Sequence, residues 1–245
     1  MDNRREAIVH FKALAADYDG TIATDGKVAP RTIEALERFK TTGLKLILVT
    51  GRELPDLLSA FPKIDIFDLI IVENGALLYD PVSKSETILG DTPSGEFVAQ
   101  LQARNVEPLS VGRSIVATRE PYETEVLAAI RDLGLELHIV FNKGAVMVLP
   151  ANVNKATGLA AALGKMKIPG SKVIGIGDAE NDLSFLQSCG FTVAVDNALP
   201  SVKAIADLIV GPCGLGIEEL SRLWADTKLC EPEYSRRGEV YSRGA

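Results

Sequence analysis

The sequence predicts an α/β protein with a doubly wound parallel sheet, into which a smaller α+β domain is inserted. Short apolar runs alternate with helical patterns at both ends of the chain, starting at Ala13–Ala16 and resuming at Lys172–Ile176, as in βαβ units. Between about Pro81 and Pro150 the pattern changes, and Asn142-Lys143-Gly144 predicts a tight hairpin, which joins antiparallel strands. We therefore expect a core of residues 1–80 and 151–230, an inserted cap of residues 81–150 and a frayed tail of residues 231–245.

The composition is that of a globular protein. Apolar residues make up 47% of the 245 positions and charged residues 24%, which is enough to build a core in one or two domains. The net charge of −7 disfavours nucleic acid or an anionic membrane as a partner. No apolar run approaches the roughly 20 residues that span a bilayer, and the polar segment 1–11 is not a signal peptide. Because the three cysteines are dispersed, we expect a protein of the reducing cytoplasm. We expect it to be a monomer or a homodimer.

In the first part of the chain, strand and helix signals alternate in order. A buried strand ends at Asp17, and Asp25-Gly26-Lys27 predicts a hairpin tip. Pro30 opens an amphipathic helix that Gly43 closes. The further elements predicted before the cap are strands at 44–49 and 69–72, a helix at 54–61 and an extension at 77–79.

The cap and the last part of the chain continue with mixed and then parallel patterns. In the cap, a polar stretch at 83–93 precedes helices at 95–104 and 123–133 and strands at 114–118, 135–141 and 145–149. After Asn154 the sequence predicts helices at 155–166 and 217–225 and strands at 172–176, 191–195 and 208–210.

Two carboxylates close the first predicted strand. Asp17 and Asp19 follow the apolar run, and Gly20 then starts a turn. Ligands of α/β sheets gather beyond the carboxyl ends of the strands, and two carboxylates there repel each other unless a cation lies between them. Oxygen ligands without a histidine or cysteine cluster favour Mg²⁺. The alternative is that both side chains solvate a loop or cap a helix.

Three further polar residues stand beside predicted strand ends or helix starts. Thr50 with Glu53 fits a capping box, which needs no catalysis. Asp178 fits an N-cap of the helix that contains Asp182. Lys155 lies near a helix start, where the helix dipole disfavours a cation, so a surface role explains it poorly.

Two nucleotide-binding motifs do not fit the sequence. Gly175-Ile176-Gly177 begins like G-x-G-x-x-G, but Glu180 stands at the third glycine position and would repel a pyrophosphate. The sequence also contains no G-x-x-x-x-G-K-[ST] loop, so a P-loop hydrolase is excluded by motif.

In this order, the segments resemble the motifs of the haloacid dehalogenase (HAD) superfamily of phosphohydrolases. Asp17-Tyr18-Asp19-Gly20-Thr21 resembles the first motif, D-x-D-G-T, and Thr50-Gly51-Arg52 is similar to the second. Lys155 resembles the third-motif lysine, and Gly177–Asp182 resembles the fourth motif, G-D-x-x-N-D. The resemblance covers residues 12 to about 226 and implies a Rossmann-like core. An insertion between the second and third motifs resembles the Cof-like branch with a type IIB cap, which includes sugar phosphatases, sucrose-phosphate phosphatase, archaeal phosphoglycolate phosphatase and phosphomannomutase.

The resemblance also implies roles for individual residues. Asp17 would be the nucleophile that forms an aspartyl-phosphate, and Asp19 the general acid and base. Thr50, the Gly51 amide and Lys155 would stabilise the phosphoryl group. The implied Mg²⁺ ligands are Asp17, the backbone carbonyl of Asp19, Asp178 and, directly or through water, Asp182. The implied substrate contacts are Thr21, Gly51, Arg52 and Asn74. Asn74 lies in the stretch Glu73-Asn74-Gly75-Ala76, which is similar to the N-G-A stretch of the Cof-like branch. The alternative for Arg52 and Asn74 is that they only form turns.

We therefore expect a Mg²⁺-dependent phosphatase acting on a small phosphorylated metabolite, such as a sugar phosphate or phosphoglycolate. Substrate selection is expected in the cap, with Arg113, Asn142 and Lys143 as candidates. A phosphomutase or phosphotransferase of the same superfamily would use the same aspartyl-phosphate. A non-catalytic phospho-ligand-binding domain is the other alternative, although it would tolerate the loss of a nucleophile that is present here. Dehalogenation is disfavoured because relatives with that chemistry lack the second aspartate, Asp19.

Overall fold

A computed structural model describes residues 11–142 and 144–225. The predictions made for segment 1–10, Lys143 and the tail 231–245 lie outside the described residues. The strands are β1 Ala13–Asp17, β2 Lys45–Val49, β3 Leu69–Val72, β4 Leu77–Asp80, β5 Ser85–Ile88, β6 Ser110–Val111, β7 Val116–Arg119, β8 Leu137–Asn142, β9 Ala145–Pro150, β10 Val173–Gly177, β11 Phe191–Val195 and β12 Leu208–Val210. The helices are α1 Pro30–Thr41, α2 Leu54–Ala60, α3 Gly95–Ala103, α4 Glu123–Asp132, α5 Lys155–Met166, α6 Leu183–Leu186, α7 Pro200–Lys203 and α8 Gly214–Ala225.

The described part of the chain divides into two compact units, of which the first comprises residues 11–48 and 166–225. Its strands lie in the order β12-β11-β10-β1-β2, and the pairs β12/β11, β11/β10 and β10/β1 are parallel. Every residue of β1, β10 and β11 is buried, as expected for parallel strands covered on both faces. Helices α1 and α8 pack together, and Arg38 Nε donates to Ser221 Oγ at 3.0 Å between them. The predicted α/β class with a parallel sheet is confirmed.

The second unit comprises residues 49–165 and contains two sets of antiparallel strands. Strands β3, β4 and β5 are successive antiparallel neighbours. A separate four-stranded sheet has the order β6-β7-β9-β8, and α3 and α4 pack on one of its faces around Phe97, Leu101 and Val126. The predicted cap lies within this unit, together with β3, β4, α2 and α5. The division into a core of 1–80 and 151–230 and a cap of 81–150 therefore remains a prediction.

The first predicted hairpin tip occurs, and the strands on either side of the second are paired. Asp25 and Gly26 have φ angles of 49° and 74°, and Thr24 and Lys27 exchange two backbone hydrogen bonds of 3.0 Å across them. Strand β8 ends at Asn142, which pairs with Ala145 at the start of β9. The sequence prediction missed β5, because each of its residues is exposed and it shows no apolar alternation. Its backbone pairing with β4 makes it a strand.

None of the helices within residues 11–142 and 144–225 combines the length and apolarity that crossing a bilayer requires.

Candidate active site

Three buried aspartates meet at the ends of two neighbouring parallel strands. Asp17 is the last residue of β1, and the register of Ala16 with Ile176 places it beside the end of β10, which Asp178 follows. Asp17, Asp178 and Asp182 each offer a carboxylate oxygen within 4.8 Å of the others. The three residues are at most 5% exposed. Negative charges that are buried this close together repel unless a cation compensates them, so the cluster has the electrostatics of a metal site.

Hydrogen bonds hold two of these carboxylates in place. Thr21 Oγ1 donates to Asp178 Oδ1 at 3.1 Å. Asp182 Oδ2 accepts the backbone N–H groups of Asp178 at 2.9 Å and Ala179 at 3.0 Å. The suggested N-cap role of Asp178 is therefore wrong: the N-cap residue is Ala179, and Asp182 accepts the loop amides. A Cβ atom on Gly177 would lie 2.7 Å from Asp182 Oδ2, so a glycine is needed at this position for the close approach.

Asp19 differs from Asp17 in its surroundings. It lies on the turn after β1, where the Ala23 N–H donates to Tyr18 O at 2.8 Å and the Gly20 N–H donates to Ala23 O at 2.9 Å. Asn197 Nδ2 also donates to Gly20 O at 2.8 Å. Asp19 is half-buried, and its carboxylate is not one of the three in the cluster. Asp19 is therefore more open to solvent than the three clustered aspartates.

The cluster fits a hard divalent cation. Its donors are carboxylate oxygens, and among the described residues it includes neither histidine nor cysteine. Mg²⁺ takes such oxygen ligands and keeps several waters, so three carboxylates in one cluster suffice for it.

The second unit holds Thr50, Gly51, Arg52 and Asn74 on two loops that hydrogen-bond to each other. The Asn74 N–H donates to Thr50 O at 3.0 Å. A Cβ atom on Gly51 would lie 3.1 Å from Asn74 Oδ1, so this glycine lets the amide side chain approach the loop. Arg52 forms an ion pair with Asp56 at 2.7 Å on the surface. The predicted capping box at Thr50 and Glu53 is wrong: among the described residues neither side chain caps α2, and Thr50 Oγ1 accepts the Arg52 N–H at 3.1 Å.

Lys155 is the first residue of α5 and is only 2% exposed. Asn154 caps this helix, because its Oδ1 accepts the N–H groups of Ala156 at 2.9 Å and Thr157 at 3.0 Å. Asn154 packs on Gly75, which has a φ of +108° and where a Cβ atom would overlap Asn154 O. Burial of the Lys155 ammonium group costs desolvation free energy, and the helix dipole disfavours a cation at a helix start. Such costs are expected at a functional position.

Sequence reasoning missed Glu73, the residue before Asn74. Its side chain is 1% exposed. Its Oε1 accepts the Arg113 N–H at 2.9 Å, and its Oε2 accepts those of Ser114 at 2.8 Å and Ile115 at 3.2 Å. Both Glu73 and Asn74 have positive φ, 52° and 51°. The position of this carboxylate directly after a buried strand could have indicated a functional or structural role. Its hydrogen-bond donors could not be predicted, because they lie about 40 residues further along the chain.

The cap candidates are placed differently from one another. Arg113 forms an exposed ion pair with Glu86 at 3.0 Å, and this carboxylate raises the pKa of the guanidinium above its ordinary value. Asn142 ends β8 in a row with Ala145 and Arg119. Lys143 lies outside the described residues. Arg119 was not predicted, although its place at the end of an alternating strand was a possible signal.

The comparisons with known proteins agree with the motifs. A family model for haloacid dehalogenase-like hydrolases matches residues 14–103 and 114–212. A phosphoglycolate phosphatase of Methanothermobacter thermautotrophicus is 32% identical over 223 residues, which cover 86% of this chain and 98% of the relative. A haloacid dehalogenase-like hydrolase from Bacteroides thetaiotaomicron has the same fold, with a TM-score of 0.73 at 19% identity over 86% of this chain and 98% of the other. A subclass IIB sugar phosphatase matches with a TM-score of 0.70 at 22% identity over 89% and 99%. The chain therefore belongs to the haloacid dehalogenase-like hydrolases, in their Cof-like branch.

Proposed function

We propose that this phosphatase uses Mg²⁺ and an aspartyl-phosphate on Asp17 to hydrolyse the monoester of a small metabolite of the phosphoglycolate or sugar phosphate type. Membership of the family makes the chain a phosphoric monoester hydrolase. The observation that carries the proposal is the buried cluster of Asp17, Asp178 and Asp182 at the strand ends. Phosphoglycolate is favoured among the substrates because it is the substrate named for the Methanothermobacter relative.

In the first half-reaction, a carboxylate oxygen of Asp17 attacks phosphorus in line. An O–P bond forms to Asp17 as the bond to the ester oxygen breaks, and Asp19 gives its proton to the leaving oxygen. Bound Mg²⁺, held by Asp17, Asp178 and Asp182, would supply positive charge that offsets repulsion between the carboxylate and the phosphate. The Thr50 hydroxyl, the Gly51 amide and the Lys155 ammonium would hold the phosphoryl oxygens where charge develops.

In the second half-reaction, Asp19 takes a proton from water as that water attacks the phosphorus of the aspartyl-phosphate. Inorganic phosphate leaves and the Asp17 carboxylate is restored. Thr21 supports this chemistry by fixing Asp178, to which its hydroxyl donates at 3.1 Å. Asn74 and Arg52 would contact the substrate beside Thr50.

The test is phosphate release from a panel of phosphorylated metabolites, with Mg²⁺ and with EDTA. Asp17→Asn removes the nucleophile, and Asp91→Asn is a matched control because Asp91 is an exposed carboxylate outside the site. We expect metal-dependent release that falls by at least about 10³-fold in Asp17→Asn alone. Full release in EDTA would refute the role of Mg²⁺. Transfer between sugar monophosphates and bisphosphates without net release would indicate the mutase instead.

A further inference from the structure

One face of the four-stranded sheet presents a cation and an amide on either side of a small residue. Arg119 of β7 pairs with Ala145 of β9, and Ala145 pairs with Asn142 of β8. Directly paired residues of neighbouring strands point to the same face, so these three side chains form one row. The next row on that face is Ala117, Met147 and Val140.

This face is also the one that meets the loop of Asn74. Asn74 Nδ2 donates to Met147 Sδ at 2.9 Å, and Met147 and Leu149 pack with Ala76. Met147 and Leu149 are buried, whereas Ala145 and Asn142 are half-buried and Arg119 is exposed. Two residues along a strand span about 7 Å. From the row of Met147, which contacts Asn74, to the next row along the strands, the face therefore changes from buried and apolar to solvent-accessible and polar.

The side chains of this open row are available for a ligand. Neither the Arg119 guanidinium nor the Asn142 amide makes a hydrogen bond or ion pair with any other described residue. Ala145 and Ala117 are small, so they leave space beside the guanidinium. Arginine recognises carboxylates through two parallel hydrogen bonds, and an asparagine amide adds another donor.

We propose that Arg119 and Asn142 bind a carboxylate on the leaving group, so that the substrate is the phosphate ester of a small hydroxy acid. This inference rests on the proposed function, in which Asn74 contacts the substrate. Arg113 is the matched comparison, because its guanidinium is already paired with Glu86. An acid group on the leaving group also distinguishes this substrate class from sugar phosphates, whose leaving group is an uncharged sugar.

The first experiment compares 2-phosphoglycolate with 2-hydroxyethyl phosphate, which lacks the carboxylate. We expect Arg119→Gln to lower kcat/KM for 2-phosphoglycolate by about 10- to 100-fold, because bonds between charged groups are lost. The value for 2-hydroxyethyl phosphate should stay nearly unchanged. Arg119→Lys keeps the charge without the fork and should give an intermediate loss. Arg113→Gln should change neither value. Equal losses on both esters in Arg119→Gln, or no loss, would overturn the proposal.

A binding measurement separates this inference from the proposed function. The dissociation constant of 2-phosphoglycolate with Mg²⁺ is measured for Asp17→Asn and for Asp17→Asn with Arg119→Gln, so that no turnover is needed. We expect the added substitution to weaken binding by about 10-fold or more. If the wild-type chain releases no phosphate from any ester, the proposed function fails, and this comparison still decides the carboxylate site. Equal affinities of the two variants would refute it.

Discussion

Glu73→Gln tests the buried carboxylate that joins the Asn74 loop to the turn between β6 and β7. The glutamate accepts three backbone N–H groups, from Arg113, Ser114 and Ile115, with two oxygens. An amide has one oxygen, and its NH₂ group must then face at least one of these donors. Gly112 leaves no room for the side chain to turn away, since even a Cβ there would lie 2.8 Å from the carboxylate.

The magnitude follows from the count of bonds. In the best arrangement the amide oxygen keeps the two bonds from Ser114 and Ile115, while the bond from Arg113 is lost. The Arg113 N–H is only part-buried, so the expected loss is that of one hydrogen bond to a charged group, which contributes about 1.5–3 kcal/mol. We therefore expect Glu73→Gln to lower the free energy of unfolding by about 1.5–3 kcal/mol.

Urea unfolding measures this loss, and hydrogen exchange locates it at the amides of residues 113–115. Glu86→Gln is the matched control, because Glu86 also bonds Arg113, but through an exposed side-chain pair. That control should change the stability by less than about 1 kcal/mol. A loss in Glu73→Gln no larger than in the control, or unchanged exchange at the Arg113 amide, would refute the reasoning.

Three further predictions concern the two units separately. Gly75→Ala should cost about 3 kcal/mol or more in urea unfolding, because its φ is +108° and the new Cβ overlaps Asn154 O, whereas Gly43→Ala, at φ +84° with open space, should cost only about 1 kcal/mol. Asp182→Asn should raise the Mg²⁺ concentration for half-maximal phosphate release by about 10- to 100-fold, and no shift would remove Asp182 from the metal site. Burial raises the pKa of Cys189 to about 12, so that its thiolate fraction at pH 8 is only about 10⁻⁴. Maleimide labelling followed by mass spectrometry should therefore find it unmodified in the native chain and modified in urea, and rapid native labelling would contradict this.

The aspartate cluster was predicted through the resemblance of the motifs, and those motifs carry it because its determinants are local. Asp17 and Asp178 each follow an unbroken apolar run, and such runs are typical of buried parallel strands, whose carboxyl ends meet at one edge. Asp182 lies four residues after Asp178, close enough for its carboxylate to reach back to the loop amides. The alternative roles as caps failed because capping patterns identify a residue type and a spacing but not which donor the oxygen meets.

The features of the second unit depend on pairing that no local pattern encodes. The three amides that Glu73 accepts come from a turn far along the chain. Arg113 and Arg119 are both arginines near one short strand, but the predicted strand 114–118 lies at 116–119. Only the register with Ala145 assigns Arg119 to the face of Met147, while Arg113 lies before the strand.

The proposed roles of the two units predict that substrate selection and chemistry can be altered independently. The second unit ties its four-stranded sheet to the loops of Thr50 and Asn74 through the Glu73 carboxylate, the contact of Asn74 with Met147 and a hydrogen bond from Ser110 to Glu53. The groups proposed to hold the phosphoryl end and the acid end of the substrate therefore belong to one packed unit. The proposed nucleophile and metal ligands belong to the other unit. Substitutions along the Arg119 row should then change which ester is preferred, whereas substitutions in the aspartate cluster should lower turnover of every ester alike.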